Sequence, residues 1–232
     1  MKDKNPVNLN KLEDLIYYKF KNADLLKESL THRSYLNENS KWPLPHNERL
    51  EFLGDAVLEL AITEILFEKY PKYDEGKLTA FRAALVNYLM LASVAKDIQL
   101  EKFLLLSRGE AKDKGRARDV ILANAFEALI GAVYLDSDYQ VAKDFVSRFV
   151  APRIKDVIEQ ELYKDAKSFL QERTQAYLKL TPVYKVLNQE GPDHKKVFKV
   201  GVYFGDKLMA EGEGLSKQEA EVDAAKKALG KI

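Results

Sequence analysis

The spacing of apolar residues changes once along the chain, from a helical pattern to a mixed helix and strand pattern. This change constrains the fold more than any other sequence feature. From about residue 8 to about residue 160 the apolar residues recur at helical spacing, and Thr79 and Asn87 are expected to lie inside long helical runs. From about residue 165 a helical stretch is followed by three Val- and Tyr-rich runs and a closing helical stretch. The patterns predict an all-α domain over residues 1–160 and a small α+β domain, ordered α-β-β-β-α, over residues 165–232.

The composition is that of a folded protein without disulfides or membrane-spanning segments. The 232 residues are 46% hydrophobic and 31% charged, which is typical of folded domains with substantial cores. The chain has no cysteine, which excludes disulfides and thiolate metal sites and suits a reducing compartment. No apolar run approaches the roughly 18 residues of a membrane span, and the polar first residues lack the apolar core of a signal peptide. We therefore expect a cytoplasmic protein with no membrane partner.

The segment HNERLEFLGDAVLEL, residues 46–60, carries four carboxylates among core-type residues. At ~100° per residue they share a helical stripe about 80° wide. The four residues are Glu48, Glu51, Asp55 and Glu59. The stripe could be the solvated side of an amphipathic helix. The alternative is a cation site, because like charges repel and the flanking Phe52, Ala56 and Leu58 are expected to leave little of the helix facing water.

A second acidic position lies in ILANAFEALIGAVYLD, residues 121–136, where Asn124 and Glu127 share one face of an apolar helix. A buried glutamate needs a partner, and a metal shared with the first acidic helix would supply one; otherwise Glu127 lies at an exposed edge. Oxygen ligands suit Mg²⁺, or Mn²⁺ as a substitute. The three histidines show no i,i+3 or i,i+4 spacing that would favour zinc.

Both acidic segments resemble a known family. HNERLEFLGDAVLEL closely resembles the signature segment of the ribonuclease III family, and ILANAFEALIGAVYLD resembles its second acidic helix. The resemblance continues through LTHRSY at residues 30–35 and YDEGKLTAFRAALV at residues 73–86. The tail, with its closing GEGLSKQEAEVDAAKKAL, resembles a double-stranded-RNA-binding domain. The similarity covers almost the whole chain and implies a metal-dependent endonuclease for double-stranded RNA.

The resemblance also implies which residues act. It implies a divalent-metal site built from both acidic helices, with the ligands Glu51, Asp55, Asn124 and Glu127. Asp55 and Glu127 would position metal and nucleophilic water, and Glu48 and Glu75 would support them. The family usually has Asp where this chain has Asn124. An amide oxygen can still bind a hard cation, so we expect weaker metal affinity and retained cleavage.

The implied reaction is hydrolysis of RNA phosphodiesters that leaves 5′-phosphate and 3′-hydroxyl ends, with Mg²⁺ and no small-molecule cofactor. Precursor ribosomal RNA is the implied substrate, together with structured messenger and transfer RNA precursors. A competing hypothesis is a double-stranded-RNA-binding protein whose cleavage is weak or lost because of Asn124. Cutting both strands calls for two sites, which the family provides as a symmetric homodimer. Trp42, in the loop KWPLPHN, could belong either to that interface or to the core.

The tail is expected to bind the RNA duplex through 2′-hydroxyls and phosphates over about 16 base pairs. The resemblance places Gln171 and Glu172 on the first helix for minor-groove contacts, His194 in the loop between strands, and Lys217 at the start of the last helix. A helix N-terminus also attracts phosphate. The loop SRGEAKDKGRARD could add basic contacts or be an ordinary solvated loop.

Overall fold

The computed structural model describes residues 8–112, 114–163, 165–191 and 196–231. The chain divides into two compact units, Met1–Tyr163 and Lys164–Ile232. The first unit is helical and the second combines helices with a sheet, which confirms the predicted fold class. His194, one of the predicted RNA-binding residues, lies outside the described residues.

The first unit consists of α-helices joined by short loops and two short 3₁₀ turns, Leu100–Lys102 and Glu110–Lys112. The α-helices are α1 (Leu9–Ile16), α2 (Ala23–Ser29), α3 (Arg33–Glu38), α4 (Glu48–Lys69), α5 (Glu75–Val86), α6 (Tyr88–Asp97), α7 (Arg116–Asp136), α8 (Tyr139–Phe149) and α9 (Arg153–Glu159).

The placement of Asn87 inside one long helix was wrong. Asn87 has φ −72° and ψ 155°, an extended conformation that separates α5 from α6. Its side-chain oxygen accepts a hydrogen bond of 3.0 Å from the backbone N–H of Met90 and so caps α6. The local cap outweighs the continuous apolar periodicity, which extends across the break.

The two long helices α4 and α7 form the centre of the first unit, and they make its most extensive helix contact. Their backbones meet at two glycines. A Cβ at Gly54 would lie 2.7 Å from the carbonyl carbon of Glu127 and 2.9 Å from the backbone nitrogen of Gly131. A Cβ at Gly131 would in turn overlap the carbonyl oxygen of Leu50. Only glycine permits this approach, so the two acidic helices are held backbone to backbone.

A buried carboxylate fixes the C-terminal end of α7. Asp136 accepts hydrogen bonds from the Tyr18 hydroxyl (2.7 Å) and from the backbone N–H groups of Lys21 (2.9 Å) and Asn22 (2.8 Å). Burial and this carboxylate raise the pKa of Tyr18 to about 12, so the hydroxyl remains a donor. The segment between α1 and α2 is thereby tied to α7.

Among the described residues, no single helix is long and apolar enough to cross a membrane. Helices α5 and α6 pass that test of length and composition only as a pair bent by 49°. Their large apolar residues Phe81, Leu85 and Leu91 are fully buried in the core of the first unit.

The second unit places two helices against a three-stranded antiparallel sheet of order β1-β2-β3. Its elements are α10 (Ala166–Leu178), β1 (Pro182–Glu190), β2 (Val197–Phe204), β3 (Lys207–Gly214) and α11 (Lys217–Leu229). Gly205, at φ +61°, turns the chain between β2 and β3. A small core that includes Leu170, Val202 and Ala224 joins the helices to the sheet.

Candidate active site

The crossing of α4 and α7 brings predicted site residues from distant parts of the sequence together. Glu51 and Asp55 lie one turn apart on α4, and Asn124 and Glu127 lie one turn apart on α7. The Asn124 side chain makes a hydrogen bond to the Glu51 carboxylate. Glu127 interacts electrostatically with both Asp55 and Glu51. We call these four residues the acidic cluster.

The acidic cluster is electrostatically strained. Burial, followed by repulsion from Asp55 and Glu51, raises the pKa of Glu127 to about 8. Burial and the neighbouring Glu48 and Asp55 raise the pKa of Glu51, while the hydrogen bond from Asn124 opposes this shift. Carboxylates in this environment are costly to ionise unless a cation neutralises them.

The donor chemistry of the cluster fits a hard divalent cation. Its side chains offer carboxylate and amide oxygens, the ligand types that Mg²⁺ prefers. In the described part of the chain, no three Asp, Glu or His side chains lie close enough together to hold one ion by themselves. A complete coordination shell would therefore need the Asn124 oxygen and oxygens from water or substrate, which is usual for Mg²⁺.

Glu48 and Glu75, the two supporting acids, lie in different places. Glu48 begins α4, and its carboxylate lies 3.4 Å from Arg33 and 3.8 Å from the His46 ring. Glu75 begins α5 and accepts a hydrogen bond of 3.4 Å from the Thr79 hydroxyl. Thr63, which lines the same cavity as Glu75, is eight residues beyond Asp55, or about 12 Å along α4. Within one chain, Glu48 therefore adjoins the acidic cluster and Glu75 lies apart from it.

Sequence reasoning missed the partners of Glu48. Arg33 and His46 precede α4 in the chain, and no spacing rule links them to a carboxylate on the helix. Arg33 falls in the family-like segment LTHRSY, which was the only signal for a role near the site.

The expectation that little of α4 faces water was wrong. Phe52 is 82% exposed, Leu60 is 50% exposed and Phe67 is 72% exposed. Together with the exposed Ala56, these residues form the α4 apolar stripe, about 80° wide. Leu58 is fully buried. The helix therefore carries an acidic side and a separate, exposed apolar side.

The second unit presents its predicted RNA-binding residues to solvent. Gln171 and Glu172 are exposed on α10. Lys217 is the exposed first residue of α11, whose N-cap Ser216 accepts a hydrogen bond of 3.1 Å from the backbone N–H of Glu219. Glu221 forms an ion pair of 2.6 Å with Lys167, which reduces the negative charge near that helix end.

A helical unit with an oxygen-donor cluster between two long helices is followed by an α-β-β-β-α unit, the arrangement expected of a nuclease domain joined to an RNA-binding domain. The model of a ribonuclease-III-like family matches residues 22–154, and that of the double-stranded RNA binding motif matches residues 166–232. The chain belongs to the ribonuclease III family, and it is an endoribonuclease that acts on double-stranded RNA.

Individual relatives agree with this assignment. Ribonuclease 3 of Magnetococcus marinus is 43% identical over 228 residues, which cover 97% of this chain and 93% of that protein. Ribonuclease 3 of Carboxydothermus hydrogenoformans is 46% identical over 222 residues, covering 96% and 94%. A solved structure of the ribonuclease III nuclease domain from Campylobacter jejuni is 41% identical, with a TM-score of 0.57, and covers 62% of this chain and 97% of its own.

Proposed function

We propose that this enzyme is a cytoplasmic, Mg²⁺-dependent nuclease that leaves 5′-phosphate and 3′-hydroxyl ends and processes precursor ribosomal RNA and other structured transcripts. The observation that supports it best is the acidic cluster, in which burial, Asp55 and Glu51 raise the pKa of Glu127 to about 8. Such a cluster is stabilised when a cation binds, and Mn²⁺ could substitute for Mg²⁺.

In this proposal Glu51, Asp55, Asn124 and Glu127 hold the ion. When bound there, Mg²⁺ would supply activation of water and stabilisation of charge on the phosphate and leaving oxygens. With its raised pKa, Glu127 keeps its proton near neutral pH in the free protein, and a bound cation would favour its ionised form. The Asn124 hydrogen bond orients the Glu51 carboxylate. Arg33 holds Glu48 beside the cluster.

We assign RNA binding to the exposed residues of the second unit. Gln171 and Glu172 are adjacent on α10, where polar side chains can contact ribose 2′-hydroxyls of a minor groove. Lys217 adds a positive charge at the N-terminus of α11, which itself favours phosphate. These contacts recognise the shape of an RNA duplex more than its sequence.

We propose a homodimer that pairs through the α4 apolar stripe. One acidic cluster can cut one strand, so two clusters at a fixed separation are needed for a duplex. Exposed apolar side chains such as Phe52 and Phe67 are costly in water and typical of interfaces. The nuclease domain of the Campylobacter jejuni ribonuclease III has a structurally flexible region that is involved in dimer formation.

Asn124 supports a second candidate, a protein that binds RNA duplexes without efficient cleavage. An amide in place of a carboxylate removes one negative charge from the acidic cluster and weakens cation binding. The three carboxylates that remain, Glu51, Asp55 and Glu127, favour the enzyme.

A cleavage assay on a long RNA duplex tests the proposal, with Mg²⁺, with EDTA and with Glu127→Gln. We expect cleavage with Mg²⁺ by the unaltered enzyme and by the control variant, and no cleavage in EDTA or by Glu127→Gln; the products should have paired short 3′ overhangs and 5′-phosphates. Glu159→Gln is the matched control, because Glu159 is exposed on α9 and pairs only loosely with Lys155, at 3.8 Å. Duplex binding without cleavage under every condition would establish the second candidate.

A further inference from the structure

We propose that a pocket at the C-terminal end of α3 binds one unpaired nucleobase of the RNA substrate, stacked on Trp42. The proposal rests on the RNA-cleaving function above and adds a specificity determinant to it. A substrate with a bulged nucleotide near the cut would then be preferred over a perfectly paired duplex.

The pocket lies at the C-terminal end of α3 and has a volume of about 420 Å³. We call it the Trp42 pocket; it is lined by Tyr35, Glu38, Asn39, Ser40, Lys41 and Trp42. Small-molecule sites commonly measure about 300–1,000 Å³, so the pocket is large enough for a base. It belongs wholly to the first unit.

Hydrogen bonds of ordinary length hold the walls of the pocket in place. The backbone N–H of Trp42 donates to the carbonyl of Asn39 at 2.9 Å. The Asn39 amide donates to the carbonyl of Tyr35, also at 2.9 Å. The Tyr35 and Trp42 rings meet edge to face, with centroids 5.4 Å apart and planes at 90°. The aromatic wall is therefore formed before any ligand binds.

The side chains around the wall suit a nucleotide. Unpaired RNA bases stack on aromatic rings, and the half-buried Trp42 supplies such a ring. Lys41 is exposed beside it and offers a positive charge for the phosphate of the same nucleotide.

The position of the pocket relates it to cleavage. Helix α3 is about 9 Å long, and Arg33 at its other end contacts Glu48 beside the acidic cluster. Glu38, which lines the pocket, accepts a hydrogen bond of 3.1 Å from the backbone N–H of Arg108 in the loop SRGEAKDKGRARD. In this proposal the unpaired base therefore lies a few nucleotides from the cut.

Trp42 is the only tryptophan, so intrinsic fluorescence reports on the pocket directly. The full-length enzyme is titrated in EDTA with an RNA duplex that carries one unpaired adenosine and with the same duplex fully paired. We expect the bulged duplex to quench Trp42 emission and the paired duplex to leave it nearly unchanged. Equal responses to both duplexes would overturn the proposal. A signal that follows enzyme concentration alone would also overturn it, since Trp42 would then lie between two copies.

Cleavage with Mg²⁺ provides the second measurement. The unaltered enzyme should cut the bulged duplex about fivefold faster than the paired one at sub-saturating RNA, the lower end of what one stacked base contributes. Trp42→Leu should abolish this preference and leave cleavage of the paired duplex unchanged, which also shows that the variant folds. Lys41→Ala should reduce the preference in part. Tyr17→Leu is the matched control, because Tyr17 is an exposed aromatic that packs with Arg148 instead.

The two measurements separate failure of the pocket from failure of the proposed function. If no RNA is cleaved but the bulged duplex alone quenches Trp42, the nuclease proposal fails and the pocket stands. If both duplexes are cut at equal rates with equal fluorescence, the nuclease stands and the pocket proposal is wrong.

Discussion

The surroundings of Glu127 favour the protonated form of its carboxyl group. Burial and the carboxylates of Asp55 and Glu51 raise its pKa from 4.5 to about 8. At neutral pH the metal-free folded enzyme therefore keeps a proton that the unfolded chain has already lost. Stability depends on pH wherever the two states bind different numbers of protons.

This linkage predicts that the metal-free enzyme loses stability as the pH rises. The folded state binds more protons than the unfolded chain between about pH 4.5 and pH 8, so the free energy of unfolding falls across that window. The raised pKa of Glu51 acts in the same direction. In EDTA, Glu127→Gln should match the unaltered enzyme near pH 5 and exceed its melting temperature by about 5 °C at pH 8.5.

Thermal melts at several pH values check this prediction. Glu159→Gln, on an exposed face of α9, should follow the unaltered enzyme at every pH. Adding Mg²⁺ at pH 8 should raise the melting temperature of the unaltered enzyme more than that of Glu127→Gln. Parallel pH profiles for the enzyme and Glu127→Gln would show that Glu127 does not carry the shifted proton.

Replacing Asn124 tests the departure from the family pattern. Asn124→Asp adds a carboxylate to the acidic cluster in place of the hydrogen bond that Asn124 makes to Glu51. The added charge should lower the Mg²⁺ concentration for half-maximal cleavage by about tenfold, a difference of about 1.4 kcal/mol. It should also destabilise the metal-free protein at neutral pH, because like charges repel. Asn124→Ala should shift the Mg²⁺ requirement upward, and an unchanged requirement in both variants would place Asn124 outside the ion site.

At the residue scale, the sequence predicts which acids share a helix face but not which side chains surround them. The spacing of Glu51 and Asp55 is enough to place both on one helix face. The contact of Glu48 with Arg33 depends on how the loop before α4 folds back, which no periodicity encodes. The same applies to the exposure of Phe52, since an apolar residue beside an acidic stripe is typical of a core until the neighbouring helices are placed.

At the element scale, the site depends on the close approach of α4 and α7. Gly54→Ala would put a methyl group against the backbone of Glu127 and Gly131, which no side-chain rotation can relieve. We expect a loss of about 3 kcal/mol or more in unfolding free energy, together with loss of cleavage, because the two halves of the acidic cluster would separate. Chemical denaturation and cleavage of a paired duplex measure both effects.

Gly76→Ala is the matched control for this crossing. Gly76 lies in the first turn of α5, where a Cβ would come no closer than 3.5 Å to the Asp74 side chain. Alanine is a better helix former than glycine by up to about 1 kcal/mol, so this variant should be as stable as the original or slightly more so. A destabilisation equal to that of Gly54→Ala would mean that the crossing is not the cause.

Element boundaries were harder to predict than elements. The helical periodicity across residues 78–98 gave one run, and Asn87 divides it through a capping hydrogen bond to Met90 that competes with the helix. The strands and helices of the second unit lie where the Val- and Tyr-rich runs and turns placed them, because alternating runs bounded by glycine leave few alternatives.

At the scale of the whole molecule, the exposed side of α4 is the surface through which we propose that two copies of the chain pair. Phe52 and Phe67 lie on the side of the helix away from the core, and both are more exposed than a large aromatic residue normally is. Apolar residues concentrated on one face mark an interaction surface, and a two-fold pairing of this face with itself would place two acidic clusters at a fixed separation. The proposed double-strand cut depends on that separation.

A charged side chain on this face should dissociate the dimer. Phe52→Glu removes a large apolar contact and places like charges opposite each other across a two-fold axis. Central aromatic residues of interfaces contribute about 2 kcal/mol or more, so the dimer dissociation constant should rise by about 30-fold or more in sedimentation equilibrium. Leu89→Glu is the control, because Leu89 is 53% exposed on α6, outside the α4 apolar stripe.

The Phe52→Glu variant also tests whether paired cuts require the dimer. The Phe52→Glu protein keeps all four residues of each acidic cluster, so any residual cleavage should nick single strands and the paired cuts with short 3′ overhangs should disappear. Raising the enzyme concentration above the new dissociation constant should restore paired cuts, because mass action reforms the dimer. A variant that stays monomeric at every concentration and still produces paired cuts would show that one chain cuts both strands, and the two-fold arrangement of acidic clusters would have to be abandoned.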